Sequence, residues 1–431
     1  MGMFDEIFPD AGIPDVWWSM TCLTEVVLNK ILRRGKNSII VLFYLLLISC
    51  HTDSGPAENP EPLHQMEILV EEAIPVHAFD LIKPIRYICP DTGYLLSIVN
   101  TRKILRNFDQ IAFLQNAPGV SDFVIYDQDG NLISDLNGMH SGPENFFHAS
   151  DFQADETEGN YKILVRNPMR LVTVSKEGHP LEESLLPFTD TYFEFWINHD
   201  AYLFYADNVL LVGDYNLMMT DRQFRIRQQF DQIQPIQYQT STMDQDKMNY
   251  DPEGKCFLYR PSLIYDSIYE VSWEGDYLPF GNIHKSGGFT DQELEKISRA
   301  PFPFQEYKDL FRKRNIKPYP ILNIYPWKDF LFIPYGGYLA VYSVSRRKTL
   351  VFEIVSEEMK LFNLRFSDGI FFLVQDAYSM LQNREPFLSR ESSYPEKVRS
   401  HLDYLEGLEP HDNITLIDFI WEIDFIESYF D

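Results

Sequence analysis

The amino-acid sequence predicts an all-β fold in which small antiparallel sheets form a closed ring, a β-propeller. Three observations support this prediction. Aromatic residues make up 15% of the chain, and flat rings pack well on the pleated surface of strands. From Met66 onward, short alternating or apolar runs are separated by turn dipeptides, which is typical of consecutive antiparallel strands. A strand followed by a charged tight turn also recurs about every 45–60 residues, which is close to the length of one propeller blade.

The recurring turns are hairpin signals. Asp127–Gly130 follows the apolar run Phe123–Tyr126, and an Asp-Gly pair tolerates the positive φ that tight hairpins require. Comparable turns occur at Ser175–Gly178, Ser272–Gly275 and Ser345–Lys348. The chain after Met66 has room for about six or seven units of this size. A pair of β-sandwiches is the structural alternative that the pattern leaves open.

Two segments depart from the strand pattern and predict helices. Thr290–Glu293 has the form of a capping box, in which threonine and glutamate satisfy each other's free amides. We expect a short helical insertion between blades here, continued by Glu306–Arg314. Pro395–Leu405 is amphipathic and precedes Gly407, as a C-terminal helix before a glycine cap would be.

The last strand is predicted at Ile414–Ile423, directly after the C-terminal helix. A ring of blades closes best when strands from both chain ends share one sheet, because closure removes the exposed edge. We expect this strand to pair in the blade that contains Met66–Val70.

The N-terminus has the features of an export signal. Basic residues between Lys30 and Lys36 precede an uncharged apolar run at residues 38–49, the order found in secretory signals. A membrane-spanning helix needs roughly 20 apolar residues, so this run is too short to favour one. Leu47–Cys50 looks like a bacterial lipobox, which implies that Cys50 is acylated and becomes the mature N-terminus. Met20 would give this signal the usual length.

These features divide the chain into three parts. Residues 1–49 are the predicted leader and lipoprotein signal peptide, residues 50–62 a flexible tether, and residues 63–431 the propeller domain. The tether prediction is based on the polar, proline- and glycine-containing composition of His51–Pro62. Within the mature chain, Cys89 and Cys256 are either a disulfide pair or two free thiols.

The net charge of −27 disfavours nucleic acid as a partner, because an acidic surface repels the phosphate backbone. The short basic run Phe311–Lys317 is better explained as the exposed end of a helix.

A resemblance to a known family is carried by Phe123–Phe188. This segment combines the Asp-Gly hairpin with Gly142-Pro143-Glu144 and the later strand pair Tyr161–Val165 and Leu171–Glu177. It resembles the six-bladed β-propeller lipoproteins of Bacteroides-type bacteria, which are similar in architecture to NHL-type propellers. The glycines that usually flank the Gly-Pro-Glu turn are missing here. The resemblance implies six blades, export and attachment to the outer membrane, facing either the periplasm or the cell surface, but it assigns no molecular activity.

The sequence contains no catalytic motif that identifies an enzyme class, and it predicts no metal site and no cofactor. His140 and His148 bracket the Gly-Pro turn, and we interpret them as ordinary exposed histidines. The acidic residues Asp151, Asp155, Glu156 and Glu158 could supply oxygen ligands to a cation. Their spacing fits no EF-hand, so a solvated turn at a blade edge is the favoured interpretation.

Aromatic residues are the remaining candidates for ligand contact. They cluster at Tyr265–Trp273, Tyr325–Trp327 and Phe332–Tyr338. Exposed rings would suit a sugar or peptide, since they offer rigid apolar area with a polar tip. Packed blades use the same residues, and we favour that core role.

Two functional hypotheses follow. The first is a lipid-anchored binding protein for a glycan, a peptide or an envelope protein. The alternative is a lyase or hydrolase whose site is assembled from several blades, for which two or more of His140, His199 and His284 would have to meet carboxylates. A purely structural surface protein is a third hypothesis that no feature supports.

Overall fold

The computed structural model describes most of the region predicted as the propeller domain. The described residues are 63–98, 100–117, 120–137, 148–166, 168–188, 192–206, 214–233, 248–251, 255–261, 267–285, 290–300, 323–335, 337–355, 364–367, 369–382, 399–409 and 413–430, with 306, 309, 310 and 313. The predicted leader, Cys50 and the tether lie outside them, as do His140, Gly142-Pro143-Glu144 and, apart from Lys313, the basic run Phe311–Lys317.

Strands dominate the structure. In chain order they are β1 (His64–Ile68), β2 (Ile74–Val76), β3 (Ile82–Ile88), β4 (Thr101–Asn107), β5 (Gln110–Ala117), β6 (Val120–Asp127), β7 (Leu132–Asn137), β8 (Ala149–Asp155), β9 (Asn160–Val165), β10 (Arg170–Ser175), β11 (Pro180–Leu185), β12 (Glu194–Ile197), β13 (Ala201–Tyr205), β14 (Tyr215–Asp221), β15 (Ile226–Gln232), β16 (Met248–Asp251), β17 (Cys256–Tyr259), β18 (Ser267–Ser272), β19 (Tyr277–Lys285), β20 (Tyr325–Trp327), β21 (Phe330–Tyr335), β22 (Tyr338–Ser343), β23 (Lys348–Ile354), β24 (Leu364–Ser367), β25 (Ile370–Asp376) and β26 (Ile414–Trp421). The helices are α1 (Ala78–Leu81), α2 (Asp291–Arg299), α3 (Ala377–Gln382), α4 (Arg399–Gly407) and α5 (Ile423–Glu427), with a 3-10 turn at Val70–Glu72. None of these described helices is long and apolar enough to span a bilayer.

The described strands form six sheets, the blades of a propeller. Blades 1 to 3 are β4–β7, β8–β11 and β12–β15, blades 4 and 5 are β16–β19 with β1 and β20–β23 with β2, and blade 6 is β24–β26 with β3. Strands within a blade are antiparallel, except that β1 and β2 add in parallel to β19 and β23. The first strand of each blade is the innermost, since β4 contacts both β8 and β24. The predicted all-β, six-bladed fold is confirmed, and the sandwich alternative is wrong.

Each blade is apolar on both faces because it lies between two others. In β13, Ala201, Leu203 and Tyr205 belong to the core between blades 3 and 4. Tyr202 and Phe204 belong to the core between blades 2 and 3. Side chains alternate between the faces of a strand, so a strand covered on both sides becomes a continuous apolar run.

The predicted hairpin turns are present, and three of them require glycine as their fourth residue. Gly130, Gly178 and Gly275 have φ values of 91°, 85° and 98°, a region that glycine enters without steric penalty. Each turn joins the third and fourth strands of its blade. The predicted hairpin at Ser345–Lys348 also occurs, between β22 and β23.

Blade 3 makes the same turn without glycine. Phe224 has φ 61°, a strained conformation for a large side chain. The carboxylate of Asp221 accepts hydrogen bonds from the amides of Gln223 and Arg225, each at 2.9 Å. The ring of Phe224 stacks on Tyr202, with centroids 5.2 Å apart. These contacts stabilise the turn, which in blades 1, 2 and 4 depends on the conformational freedom of glycine.

The helical predictions are confirmed where the structure describes them. Thr290 caps α2, accepting from the Glu293 amide at 3.4 Å, and the Glu293 carboxylate accepts from the Thr290 amide at 2.9 Å. This helix lies between blades 4 and 5 in the chain. The predicted continuation over Glu306–Arg314 lies largely outside the described residues. The C-terminal helix α4 reaches Gly407, whereas we expected it to end at Leu405.

The predicted partner of the closing strand is wrong. β26 pairs with β3, from Leu416 opposite Ile88 to Trp421 opposite Ile82. Met66 instead lies in β1, on the outer edge of blade 4. The N-terminal segment therefore runs along the outer edges of blades 4, 5 and 6 in turn. Both chain ends share a blade, as expected, but the third N-terminal strand rather than the first closes the ring.

A glycine allows β1 to approach β19. Gly281 pairs with His64, and a Cβ atom at Gly281 would lie 2.5 Å from the His64 carbonyl oxygen. On the other side of the contact, the His64 imidazole bonds the Tyr342 hydroxyl of blade 5 at 2.8 Å. The first strand is thus fixed by close backbone contact and a buried polar link.

Replacing Gly281 by alanine should loosen this strand. We expect G281A to lower the free energy of unfolding by about 1–3 kcal/mol, the usual effect of overpacking, and to speed proteolysis around residues 63–70. Urea unfolding and timed trypsin digestion measure these effects. Gly337→Ala is the control, because a Cβ atom there meets nothing within 4 Å. Equal stability of the two variants would contradict this account of β1.

The seam between blades 6 and 1 contains a buried ion pair. The Arg106 guanidinium of β4 donates to the Asp418 carboxylate of β26 at 2.7 Å, and both residues are buried. The Arg106 guanidinium also lies over the Phe372 ring, 4.9 Å from its centroid. Burial raises the pKa of Asp418 despite this partner. The pair therefore joins first and last blades at a considerable desolvation penalty.

A double-mutant cycle tests this seam. Either single change, Arg106→Met or Asp418→Leu, should destabilise the protein by about 3–5 kcal/mol, because it leaves one charge buried alone. The double variant should recover most of that loss. Denaturant unfolding of the four proteins gives the coupling free energy. Strictly additive losses would show that the two side chains act independently.

Candidate functional site

An open cavity lies at one end of the propeller axis. The innermost strands all run in the same direction, so their C-terminal ends and the turns that follow meet at one mouth of the channel. The cavity there has a volume of about 410 Å3. We call it the axial cavity; it is lined by Leu105, Asn107, Gln153–Thr157, Trp196–His199, Tyr250, Phe257 and Trp273. Blades 1 to 4 all contribute to it.

Four aromatic rings form one wall of the axial cavity. Phe257 is buried and lies 5.6 Å from Trp196, 5.1 Å from Tyr250 and 5.2 Å from Trp273, between ring centroids. The three outer rings are inclined to it by 55–73° and are partly or fully exposed. A buried ring with exposed rings around it provides a rigid apolar surface for a ligand.

Polar groups line the wall from blades 1 and 2. The Asn107 amide donates to the Glu156 carboxylate at 3.0 Å, which joins the ends of two innermost strands. The Gln153 side chain donates to the Phe195 carbonyl at 2.6 Å. Asp155 is buried and forms an ion pair with Arg222 of blade 3. These contacts fix the positions of the polar groups in the absence of a ligand.

The interpretation of the acidic cluster as a solvated turn is wrong for two of its members. Asp151 and Asp155 are each 1% exposed. Asp151 accepts from Lys103 and from the Phe195 amide, both at 2.8 Å. Glu156 and Glu158 are exposed as expected. The buried pair links blades 1, 2 and 3, a role that depends on residues more than 40 positions away and is invisible in the local sequence. The described residues contain no group of three side chains arranged to hold a metal ion.

A second ion pair lies further along the channel. Arg102 of β4 donates to Glu194 of β12 at 3.1 Å, and both side chains are largely buried. Together with the Lys103–Asp151 pair it connects the innermost strands of three blades. The innermost strands of blades 1 to 3 are therefore held together by charge as well as by apolar packing.

Blade 4 carries acidic groups behind the aromatic wall: Asp251 and Glu270 lie on the face toward blade 5, opposite Phe257. Burial, followed by the charge of Asp251, raises the pKa of Glu270. Burial, followed by Glu270 and Asp251, raises the pKa of the Cys256 thiol to about 12. Burial and then nearby acidic groups, including Glu274, raise the pKa of Tyr250. Cys256 and Cys89 are not bonded to each other, so the disulfide alternative is wrong.

Of the candidate histidines, His199 and His284 lie in the described part of the chain, and they do not meet. His199 lies on the rim of the axial cavity and contacts the Asp200 carboxylate at 2.9 Å, with both side chains mostly exposed. His284 lies on the outer strand β19 and contacts Gln65 at 2.8 Å. His148 lies before β8, at the opposite end of that strand from the cavity.

The predicted aromatic clusters divide between core and cavity. Tyr325, Phe332 and Tyr335 are buried between blades, as we expected. Trp273 lines the axial cavity instead, and Tyr265 lies outside the described residues. Sequence reasoning missed Trp196, Tyr250 and Phe257, because the ends of innermost strands cannot be distinguished from ordinary core strands before the blades are aligned.

Comparison with known proteins now defines the family. Residues 59–361 match the DUF5128 family, which is described as a 6-bladed beta-propeller. The chain belongs to this family. No curated protein matches it in sequence.

Several solved structures from bacteria are similar in fold to this DUF5128 propeller. A Bacteroides fragilis protein described as exported has 15% identity and a TM-score of 0.62, with 83% of this chain and 99% of that chain covered. A DUF4221 member from Bacteroides vulgatus has 10% identity and a TM-score of 0.45 over 79% and 98% of the two chains. Virginiamycin B lyase from Staphylococcus aureus, an inactive variant with quinupristin, has 10% identity and a TM-score of 0.41 over 69% and 93%. The similarity to the first of these structures shows a shared fold.

Proposed function

We propose that this DUF5128 propeller is an exported, lipid-anchored protein of the bacterial cell envelope that binds a glycan or a peptide segment of a partner in its axial cavity. The observation that carries this proposal is the aromatic wall of Trp196, Tyr250 and Trp273 around buried Phe257. The three outer rings are partly exposed and line one cavity, and contiguous apolar surface of this kind marks binding sites.

The cavity is suited to a ligand that has both apolar and polar surfaces. Sugar rings and peptide side chains stack on indole and phenol rings, and their polar groups need fixed partners. Asn107 and Gln153 supply amide groups on the wall from blades 1 and 2, and Asn198 supplies one after β12. A volume of about 410 Å3 is in the usual range for small-ligand sites, so we expect a few sugar units or residues to enter.

The proposed anchor explains where binding would take place. A single thiol at Cys50 would carry lipid, and the polar tether over residues 51–62 would hold the propeller near the membrane.

Binding at the aromatic wall is tested with the detergent-solubilised full chain on glycan and peptide arrays. For the ligands found, Trp196→Ala and Trp273→Ala should each weaken affinity by at least tenfold, equivalent to about 1.4 kcal/mol. Tyr378→Ala is the control, because this exposed aromatic residue lies on α3, away from the cavity. Thermal melts verify that all variants are folded. Ligands that bind the tryptophan variants unchanged would refute the axial cavity as the site.

The anchor is tested by cell fractionation and by mass spectrometry of the mature N-terminus. The wild-type protein should be found in the membrane fraction with a lipid-modified Cys50. We expect Cys50→Ser to remain unprocessed and without lipid, since serine has no thiol to acylate. Cys22→Ser should behave like the wild type. A mature protein that retains residues before Cys50 would disprove this assignment.

A further inference from the structure

We propose that the group recognised by the axial cavity is a cation, an ammonium carried by the ligand. This inference rests on the proposed function and narrows the class of ligand. It is drawn from the aromatic wall, from the carboxylates Glu156 and Glu274 that adjoin it and from the lack of lysine and arginine among the described lining residues. Each of these is a separate feature of the cavity.

The aromatic wall offers π faces to a cation. Trp196, Tyr250 and Trp273 surround Phe257 within 5.1–5.6 Å between centroids. The face of an aromatic ring carries negative charge, and tryptophan attracts ammonium groups most strongly. Two of the three exposed rings are tryptophan. Aromatic rings that line one cavity are a feature that proteins use to bind ammonium ligands.

Two carboxylates adjoin this wall. Glu156 lines the cavity and is held by a neutral amide, that of Asn107. Glu274 follows Trp273, and after burial its charge is among the causes that raise the pKa of Tyr250. A ligand cation would therefore meet an attractive field.

None of the described lining residues is lysine or arginine, and the one lining histidine, His199, contacts the Asp200 carboxylate. Arg222 is close to Asp155 but is already engaged, since it contacts Asp155, Glu158 and the Asn198 carbonyl and lies over the Tyr202 ring. Lys255 is exposed on the turn before Cys256. The cavity thus has negative charge to spare, which a cationic ligand would neutralise.

An ammonium group has two chemical sources in the proposed ligand classes, an amino sugar and a lysine side chain. Four probes distinguish them: the glucosamine tetramer, its N-acetylated counterpart, the peptide acetyl-Gly-Lys-Gly-amide and the same peptide with an Nε-acetylated lysine. Within each pair, one probe has a free, charged amine and the other has the same amine acetylated and neutral. The affinity of each probe for the full chain is measured by calorimetric titration at pH 6.0, a pH at which the lysine amine is charged.

At least one charged probe should bind ten times more tightly than its acetylated partner, and raising the salt from 0.05 to 0.5 M should reduce that ratio, because ions screen the attraction. The double variant Glu156→Gln with Glu274→Gln should lose the preference, whereas Trp273→Ala should weaken binding without any change in net charge. Glu353→Gln is the charge control, since this exposed residue lies on the outer strand β23 of blade 5.

The outcomes separate the two proposals. Equal or tighter binding of an acetylated probe, sensitive to Trp196→Ala, would overturn the cation inference and leave the axial cavity as a binding site. Binding of none of the four probes would also overturn it. The charged probes could also bind the tryptophan variants as tightly as they bind Glu353→Gln. That result would show attraction to the acidic surface in general, and it too would overturn the cation inference.

Discussion

The structure depends on one constraint: each blade has two apolar faces, and only a closed ring buries both. A blade in an open row would leave one face of the first and last sheets in water, at about 25 cal/mol for each Å2. Closure is therefore the step that stabilises all six interfaces. It is made by the β3–β26 pairing, and Arg106 and Asp418 bridge the same seam across the neighbouring faces. The strand pairing that completes blade 6 and the ion pair that joins blade 6 to blade 1 therefore involve the same strand, β26.

The N-terminal segment extends this closure beyond one blade. In blade 6 it supplies the missing outer strand, but β1 and β2 are added to blades that already have four strands. Their parallel pairing follows from the chain path, because the segment travels along the outer edges in the order of blades 4, 5 and 6. Covered edges cannot pair with other chains. The same segment that closes the ring thus protects two of its edges, and Gly281 shows how closely it must approach to do so.

The fold was largely predictable because its signals are local. Gly130, Gly178 and Gly275 marked three turns, and Thr290 with Glu293 marked a helix start, since each needs only residues a few positions apart. The equivalent turn in blade 3 was not recognised from the sequence, because it has Phe224 where the others have glycine. The carboxylate of Asp221 stabilises that turn instead. The partner of β26 was assigned wrongly because β1 and β3 have similar alternating patterns, and only the path around the ring distinguishes them. The cavity residues were missed for the same reason: Trp196 and Tyr250 become neighbours only after the blades are placed.

The location of the site follows from the architecture. Innermost strands that run in one direction bring the same turn of every blade to one mouth, so a residue at the end of β12 meets residues at the ends of β8 and β16. The described turns there are short and internally bonded, and Asp155 with Arg222 joins two of them. Walls held in this way lose little conformational freedom when a ligand enters, which favours affinity. The ion pairs of Arg102 and Lys103 lie further in, so a ligand at this mouth would contact mainly the aromatic rings and Glu156.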